Sequence, residues 1–210
     1  MHIQAEKFLS YVSKLLPDYF TNQIVLDVGS GDINGNNRAL FQNCNYIGND
    51  VAPAPNVTIV SRTKDLPFED ERFDTIVSSE CFEHDPEYKQ SILRIYQMLK
   101  PNGLFFFTCA STNRPEHGTR RTSAHECYGT MYNIADFPDY YYNLTVEDVN
   151  AVLDLNNSFV YWKSYYHSYA KDLYFVGIKK SLSNSNQDFS NLVDYQDEGV
   201  VQTTNIILSH

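Results

Sequence analysis

The stretch Val25-Leu26-Asp27-Val28-Gly29-Ser30-Gly31 is an apolar run that stops at an acid and breaks into two glycines. That pattern reads as a β-strand feeding a tight turn that opens a helix. Glycine lets the backbone swing sharply and approach a bound molecule, and a helix N-terminus offers unpaired N–H groups to an anion. A second apolar segment ends at Asp50, about 20 positions on, where an acid can hydrogen-bond ribose hydroxyls. Together these features predict a site for a nucleoside-containing cofactor.

Working outward, strands and helices alternate. Phe8, Leu9, Val12, Leu15 and Leu16 recur at helical spacing and predict a leading helix over about residues 5–20. Strands are expected at 24–28, 46–48, 57–60 and 75–79, with a helix through Arg38, Ala39, Leu40 and Phe41 after the first. Tyr88, Ile92, Ile95, Tyr96 and Leu99 form one stripe of an amphipathic helix over 87–100. Pro101 stops it, and Asn102-Gly103 turns the chain into the buried strand 104–108. From about 110 to 143 periodicity disappears, and a loop that long inside a compact domain is usually functional. Thr145 caps a helix with an acidic first turn, and 159–166 and 173–178 read as closing strands.

The expected domain is therefore 1–180, an α/β unit. Residues 181–210 read as a polar acidic tail, an appendage partly ordered at best, because Asp188, Asp194, Asp197 and Glu198 stand there with no Lys or Arg. Its run Ile206-Ile207-Leu208 is apolar enough to dock on the domain or on a neighbour.

The whole chain of 210 residues has 26 acidic and 16 basic side chains, a net charge of −10. That balance disfavours nucleic acid and anionic membrane as partners. No apolar run approaches membrane-spanning length, and the start of the chain lacks a basic head followed by an apolar core. The four cysteines are scattered, with neither C-x-x-C nor zinc spacing, so buried thiols, a reducing cytoplasmic setting and no metal constellation are expected.

The glycine turn fits dinucleotide-binding domains and methyltransferases that use S-adenosylmethionine. A dinucleotide fingerprint wants a third glycine where Asn34 stands; here it comes one later, at Gly35. Asp27, two residues before Gly29, would repel a pyrophosphate but can receive the ammonium of a methionine.

Further segments carry a resemblance. Leu66-Pro67-Phe68, then Arg72-Phe73-Asp74-Thr75-Ile76-Val77, then Ser78-Ser79-Glu80-Cys81-Phe82-Glu83-His84, then Leu99-Lys100-Pro101-Asn102-Gly103-Leu104 occur in that order. In order and spacing they resemble the class I S-adenosylmethionine-dependent methyltransferases, in the small-molecule, type 11-like branch, over residues 24–179. The resemblance implies a three-layer Rossmann-like fold whose seven-stranded, mostly parallel sheet has an antiparallel last strand. It implies that Asp27, Gly29 and Gly31 hold the methionine part of the cofactor, with Ser30 in the same turn, Asp50 the ribose, and that Val51 lies beside the adenine; Glu80 reads either as a contact to the methionine end or as a solvated turn residue. S-adenosylhomocysteine would be the product. Two departures stand out: Ile33 replaces a glycine common in the family, and Arg62 stands where an acid often binds the adenine amino group. An Arg cannot accept that bond, so backbone groups near Ser61 and Thr63 are expected to serve.

Methyl transfer from a sulfonium is an in-line displacement, so the protein chiefly aligns the acceptor and excludes water. A hydroxyl acceptor also needs a base. His84, after the fourth strand, and His117, with Glu116 as its partner, are the candidates. Each has a plainer reading, as a turn cap or as part of a solvated loop. Arg114, Arg120 and Arg121 suit a carboxylate or phosphate, and Tyr141 suits the wall of a sugar or aromatic pocket. The expected activity is O-methylation of a small, anionic acceptor such as a sugar, nucleotide sugar or similar biosynthetic intermediate. A protein or RNA methyltransferase, a non-catalytic cofactor-binding partner and a nicotinamide oxidoreductase are the alternatives. A homo-oligomer is compatible with the pattern.

Overall fold

A computed structural model describes residues 2–181 and 189–204. Helix α1 (Ile3–Leu15) buries Ala5, Phe8, Leu9 and Val12. Pro17 ends it by opening a 3-10 turn, since proline cannot continue the helix's hydrogen bonds. There follow β1 (Ile24–Val28), β2 (Asn45–Asp50), β3 (Ile59–Val60), β4 (Phe73–Ser79), α2 (Tyr88–Met98), β5 (Leu99–Ala110), α3 (Tyr128–Met131), α4 (Val146–Val152), β6 (Phe159–His167), β7 (Asp172–Lys179) and β8 (Val200–Gln202).

All eight strands form one sheet in the order β3-β2-β1-β4-β5-β7-β6-β8. β1 to β5 run parallel, and β7 lies antiparallel between β5 and β6. The expected Rossmann-like α/β sheet with an antiparallel last strand of seven is present. β1 pairs with both β2 and β4, so the order of strands reverses beside it. Ligands bind beyond the carboxyl ends of the strands at such a switch point.

Leu104, Phe105, Phe106 and Phe107 of β5 are all fully buried, because both faces of the central sheet are covered. Phe105 and Phe107 meet Ile92 and Ile95 of α2 and Val149 of α4 on one side. Leu104 and Phe106 join Phe8, Leu9 and Val12 of α1 on the other. Each such side chain contributes roughly 1.5–3 kcal/mol by leaving water. α4 starts as expected at Thr145, whose N–H donates to Asp148 (2.9 Å) in a capping box.

Two expectations change. The helix after β1 is only a 3-10 turn, Arg38–Leu40. Asp32 accepts from the Gly35 N–H (2.8 Å) and the Asn36 amide (2.6 Å). Such local side-chain bonds, in a run of Asn and Gly, compete with helix formation. The glycine turn therefore has no helix N-terminus to offer an anion. The tail, in turn, is no appendage where it is described. β8 pairs antiparallel with β6 (Tyr165↔Gln202, Tyr166↔Val201, His167↔Val200) and adds an eighth strand. Tyr195 is buried against Phe8, Tyr11, Tyr165 and Tyr174, and Lys7 Nζ donates to Asp197 at 3.1 Å. The acidic composition obscured a set of apolar residues that complete the α1 side of the core. The Ile206-Ile207-Leu208 run lies outside the described residues. No helix among the described residues is long and apolar enough to cross a membrane.

Tyr195→Ala is expected to cost about 3 kcal/mol of folding stability, the scale of deleting a large buried aromatic. Val193→Ala, at an exposed position two residues away, should stay within about 0.5 kcal/mol. Chemical denaturation of both variants measures the difference.

Candidate active site

A cavity of about 350 Å³ opens at the carboxyl ends of β1 and β4. Gly29 adopts φ +70°, and a Cβ there would stand 2.4 Å from Cys81 Sγ. A Cβ on Gly31 would meet the Tyr128 ring at 2.4 Å and Asp50 Oδ2 at 2.8 Å. Both glycines are thus required by close approach as well as by the turn. The Ser30 N–H donates to Asn49 O (2.9 Å), fastening the turn to β2.

Asp50 accepts from the Gly31 N–H (3.0 Å) and the Val51 N–H (2.7 Å). Burial lifts its pKa to about 6 against the pull of those two bonds. Each carboxylate oxygen keeps a further lone pair, so a ribose hydroxyl can still be received. Asp27 lines the same cavity, but Asn37 Nδ2 donates to one oxygen (2.9 Å) and the Tyr46 hydroxyl to the other. Burial raises its pKa to about 7, opposed by those two donors. Its principal work is structural: Asn37 Oδ1 in turn accepts from Ser79 Oγ of β4 (3.0 Å), which ties β1, β2 and β4 together at the cavity floor.

Glu80 leaves β4 with φ +51° and enters a charged cluster. His2 Nε2 stands 2.7 Å from Asp172 Oδ2 and 3.4 Å from Glu80 Oε2. Arg114 Nη1 reaches Asp172 Oδ1 at 3.2 Å and donates to Ala170 O. Burial works against the His2 imidazolium, but hydrogen bonds to Asp172 and Glu80 outweigh it and push its pKa to about 10. A lone histidine at the start of the chain carries no sequence signal, and His2 was missed for that reason.

At the far end, Arg62 donates to Glu87 Oε2 (2.5 Å) and to Ala135 O (2.9 Å), latching the loop to the start of α2. Ser61 has spent its N–H on Asp50 O (2.9 Å), and its carbonyl accepts from Asn49 Nδ2 (2.9 Å). Of the two backbone positions expected to meet adenine, Thr63 lines the cavity and Ser61 does not. Asp85, which sequence reasoning did not single out, brings a buried carboxylate to the same wall.

His84, His117 and Tyr141 converge on a third wall. The His84 and His117 rings stand edge to face at 4.9 Å, and Tyr141 lies 5.0 Å from His117 and 5.7 Å from His84. His117 Nδ1 lies 3.2 Å from Pro115 O. A carbonyl only accepts, so Nδ1 is the donor in that contact, which in the neutral tautomer leaves Nε2 as the acceptor. Burial, with His117 alongside, pushes the His84 pKa down to about 3, so its ring is neutral. Behind them Glu83 is fully buried, and neither carboxylate oxygen has a hydrogen-bond partner. Burial, with the Glu80 carboxylate alongside, raises its pKa well above the usual range against the weaker pull of the backbone N–H groups of Glu83 itself and of Ala110.

The rest of the expected loop cluster goes elsewhere. Glu116 accepts from Thr119 Oγ1 (2.5 Å) and Arg121 Nε (2.9 Å), so it is not the partner of His117. Arg120 pairs with Asp139, and Arg121 Nη2 donates to Asp139 O (2.8 Å). Both are more than half exposed; they hold the loop against residues 138–139 rather than face the cavity. Of the three loop arginines, Arg114 alone lines it.

Residues 26–107, from β1 into β5, match the family described as Methyltransferase domain. No curated protein sequence matches the chain. Among solved structures, Burkholderia thailandensis 1,6-didemethyltoxoflavin-N1-methyltransferase, with 1,6-didemethyltoxoflavin and S-adenosylhomocysteine bound, superposes with TM-score 0.57 at 17% identity, over 84% of this chain and 80% of that one. Haemonchus contortus phosphoethanolamine N-methyltransferase 2, in complex with phosphomonomethylethanolamine and S-adenosylhomocysteine, gives TM-score 0.57 at 16% identity over 84% of this chain. The chain spans 53% of the length of that protein. Over residues 26–107 the sequence match, this sheet order and this glycine turn are those of a methyltransferase domain.

Proposed function

We propose that the protein transfers the methyl group of S-adenosylmethionine to a hydroxyl oxygen of a small polar molecule, such as a sugar, a nucleotide sugar or a similar intermediate. The observation that carries this reading is the pair His84 and His117 on the cavity that also holds the glycine turn and Asp50, with Glu83 and Tyr141 packed beside the two rings. A hydroxyl must shed its proton before or during attack on the sulfonium carbon, and this wall concentrates the groups able to bring that about. The cofactor supplies the electrophilic methyl group. Gly29, Ser30 and Gly31 would bear its methionine end, Asp50 its ribose, Val51 and Thr63 its adenine, and Asp85 offers an acceptor to the adenine amino group in place of the one Arg62 lacks.

The arginines that suggested an anionic acceptor are committed to Asp172, Glu116 and Asp139. The acceptor's recognised feature is therefore its hydroxyl more than a negative charge. An amine acceptor is the second reading, favoured by the carboxylates Glu80, Glu83 and Asp172 at that end. Labelled cofactor, incubated with small-molecule extracts and with macromolecules from the same lysate, separates these readings. Label on hydroxylated small molecules supports the proposal, and label confined to amines, protein or RNA overturns it.

His117→Ala is expected to lower kcat/KM by at least about 100-fold while calorimetry finds cofactor affinity within about threefold. Arg120→Ala should behave as the parent protein. Unchanged turnover in His117→Ala would remove the histidine wall from the reaction.

The raised pKa of Asp50 has a signed consequence. Free protein binds a proton there below about pH 6, and a protonated carboxyl accepts hydroxyl hydrogen bonds less well. Cofactor affinity should therefore be full above pH 7 and fall as pH drops through 6 towards 5. Titrations with S-adenosylhomocysteine across that range test this, and in Asp50→Ala affinity should be low and flat.

A further inference from the structure

A buried carboxylate without partners is costly, and proteins resolve the cost by protonating the group or by giving it a cation. Glu83 is such a group: it is fully buried, with both oxygens unpartnered. Its neighbour His84 is buried too, and its Nδ1 also lacks a partner. One carboxylate oxygen of Glu83, one ring nitrogen of His84 and one of His117 all lie within 4.8 Å of one another. The backbone makes room for this meeting. Gly118 sits at φ +68°, and a Cβ there would stand 2.5 Å from His84 Cε1 and 3.0 Å from its Nδ1.

We propose that Glu83, His84 and His117 bind a divalent transition-metal ion at the wall of the methyl-transfer cavity. Two imidazoles and one carboxylate leave open positions on such an ion and suit Mn²⁺, Fe²⁺, Co²⁺ or Zn²⁺ better than Mg²⁺ or Ca²⁺, which prefer oxygen donors alone. Ligand atoms held about 2.0–2.2 Å from one ion stand about 3–3.5 Å apart when tetrahedral. The three side chains, whose ligand atoms lie within 4.8 Å of one another, therefore need close by no more than about 1–1.5 Å on loading. His117, half-buried on the loop after β5, is the group able to make that movement. Sequence spacing shows no metal pattern because Glu83 and His84 are adjacent after β4, whereas His117 arrives from a different strand.

A second acid–histidine group, His2, Glu80 and Asp172, lies nearby but already has its charge met by protein. Asp172 takes His2 on one oxygen and Arg114 on the other. Among the described residues Glu83 has no such counter-charge within bonding reach, which is what distinguishes the two clusters.

The role of the ion in catalysis rests on the hydroxyl-acceptor reading above; its binding does not. An acceptor hydroxyl that takes an open position on the ion is acidified, and its proton passes to solvent water. The oxygen's electron pair then forms the new O–CH₃ bond. The S–CH₃ pair returns to sulfur, and the sulfonium becomes the neutral thioether of S-adenosylhomocysteine.

The test uses the whole chain, stripped with chelator, dialysed and titrated with CoCl₂ in the absence of cofactor and acceptor. The expected result is one equivalent of Co²⁺ with ligand-field absorption in the visible. Affinity should fall at least about tenfold in His117→Ala and in Glu83→Gln. His117 is on a loop outside both cores, so its variant reports on the site even if Glu83→Gln folds poorly. Absence of stoichiometric Co²⁺ binding, or binding unchanged in His117→Ala, overturns the site. Transfer of label to hydroxylated extract, measured with and without chelator, is read separately. Transfer that survives metal removal overturns the catalytic role and leaves the hydroxyl reading standing. Tight Co²⁺ binding with label found only on amines leaves the metal site standing and removes that reading.

Discussion

The insertion of β7 between β5 and β6 is the constraint on which the rest of the molecule depends. Its antiparallel register sets Leu104 opposite Ile178 and Ala110 opposite Asp172, so β7 begins where β5 ends. Asp172 is thereby delivered, fully buried, to the edge of the cavity. There it meets Arg114, just past β5, and His2, just ahead of α1. The same register stacks Phe175 on Phe107 at 5.3 Å, so one strand pairing fixes both the core and the position of the site. A slip of one residue would turn Asp172 to the other face of the sheet and dismantle the cluster.

What the sequence made legible was whatever depends on local pattern. Asp27 to Gly31 and Asp50 are each written within a few neighbouring residues and stand where the pattern placed them, whereas the helix expected over 87–100 ends at Met98 and the turn expected at Asn102-Gly103 is part of β5, which starts at Leu99. Contacts between distant parts of the chain were not legible. Tyr128 donates to Asp32 O at 3.2 Å and covers Gly31 from a loop far down the chain, and no periodicity announces that. The arginines show the same limit from another side. Arg114, Arg120 and Arg121 look alike in the sequence, yet one faces the cavity and two are held by Glu116 and Asp139. The sequence displayed their charge without their partners. Tail residues were misjudged because acidic composition outweighed Tyr195 and its neighbours, whose apolar surface finds α1 only in three dimensions.

The cavity gathers negative charge. Asp27, Asp50 and Glu80 line it, and Glu83 stands behind the histidine wall. Burial raises the pKa of Asp27 and Asp50, the behaviour of carboxyls removed from water without a full counter-charge. A sulfonium cofactor is a cation and its product is not. An acidic, half-desolvated cavity would hold a sulfonium better than a neutral thioether, so part of the binding energy would disappear with the charge as the methyl group leaves.

The two outermost strands have a bearing on how the molecule lives among its copies. An open sheet edge is a template on which another chain can pair, and long, flat edges invite aggregation. Here one edge is β3, two residues long, and the other is β8, three residues long. β8 is laid along the end of β6. The segment that looked dispensable thus acts as a selvedge, closing the weave where it would otherwise unravel onto its neighbours.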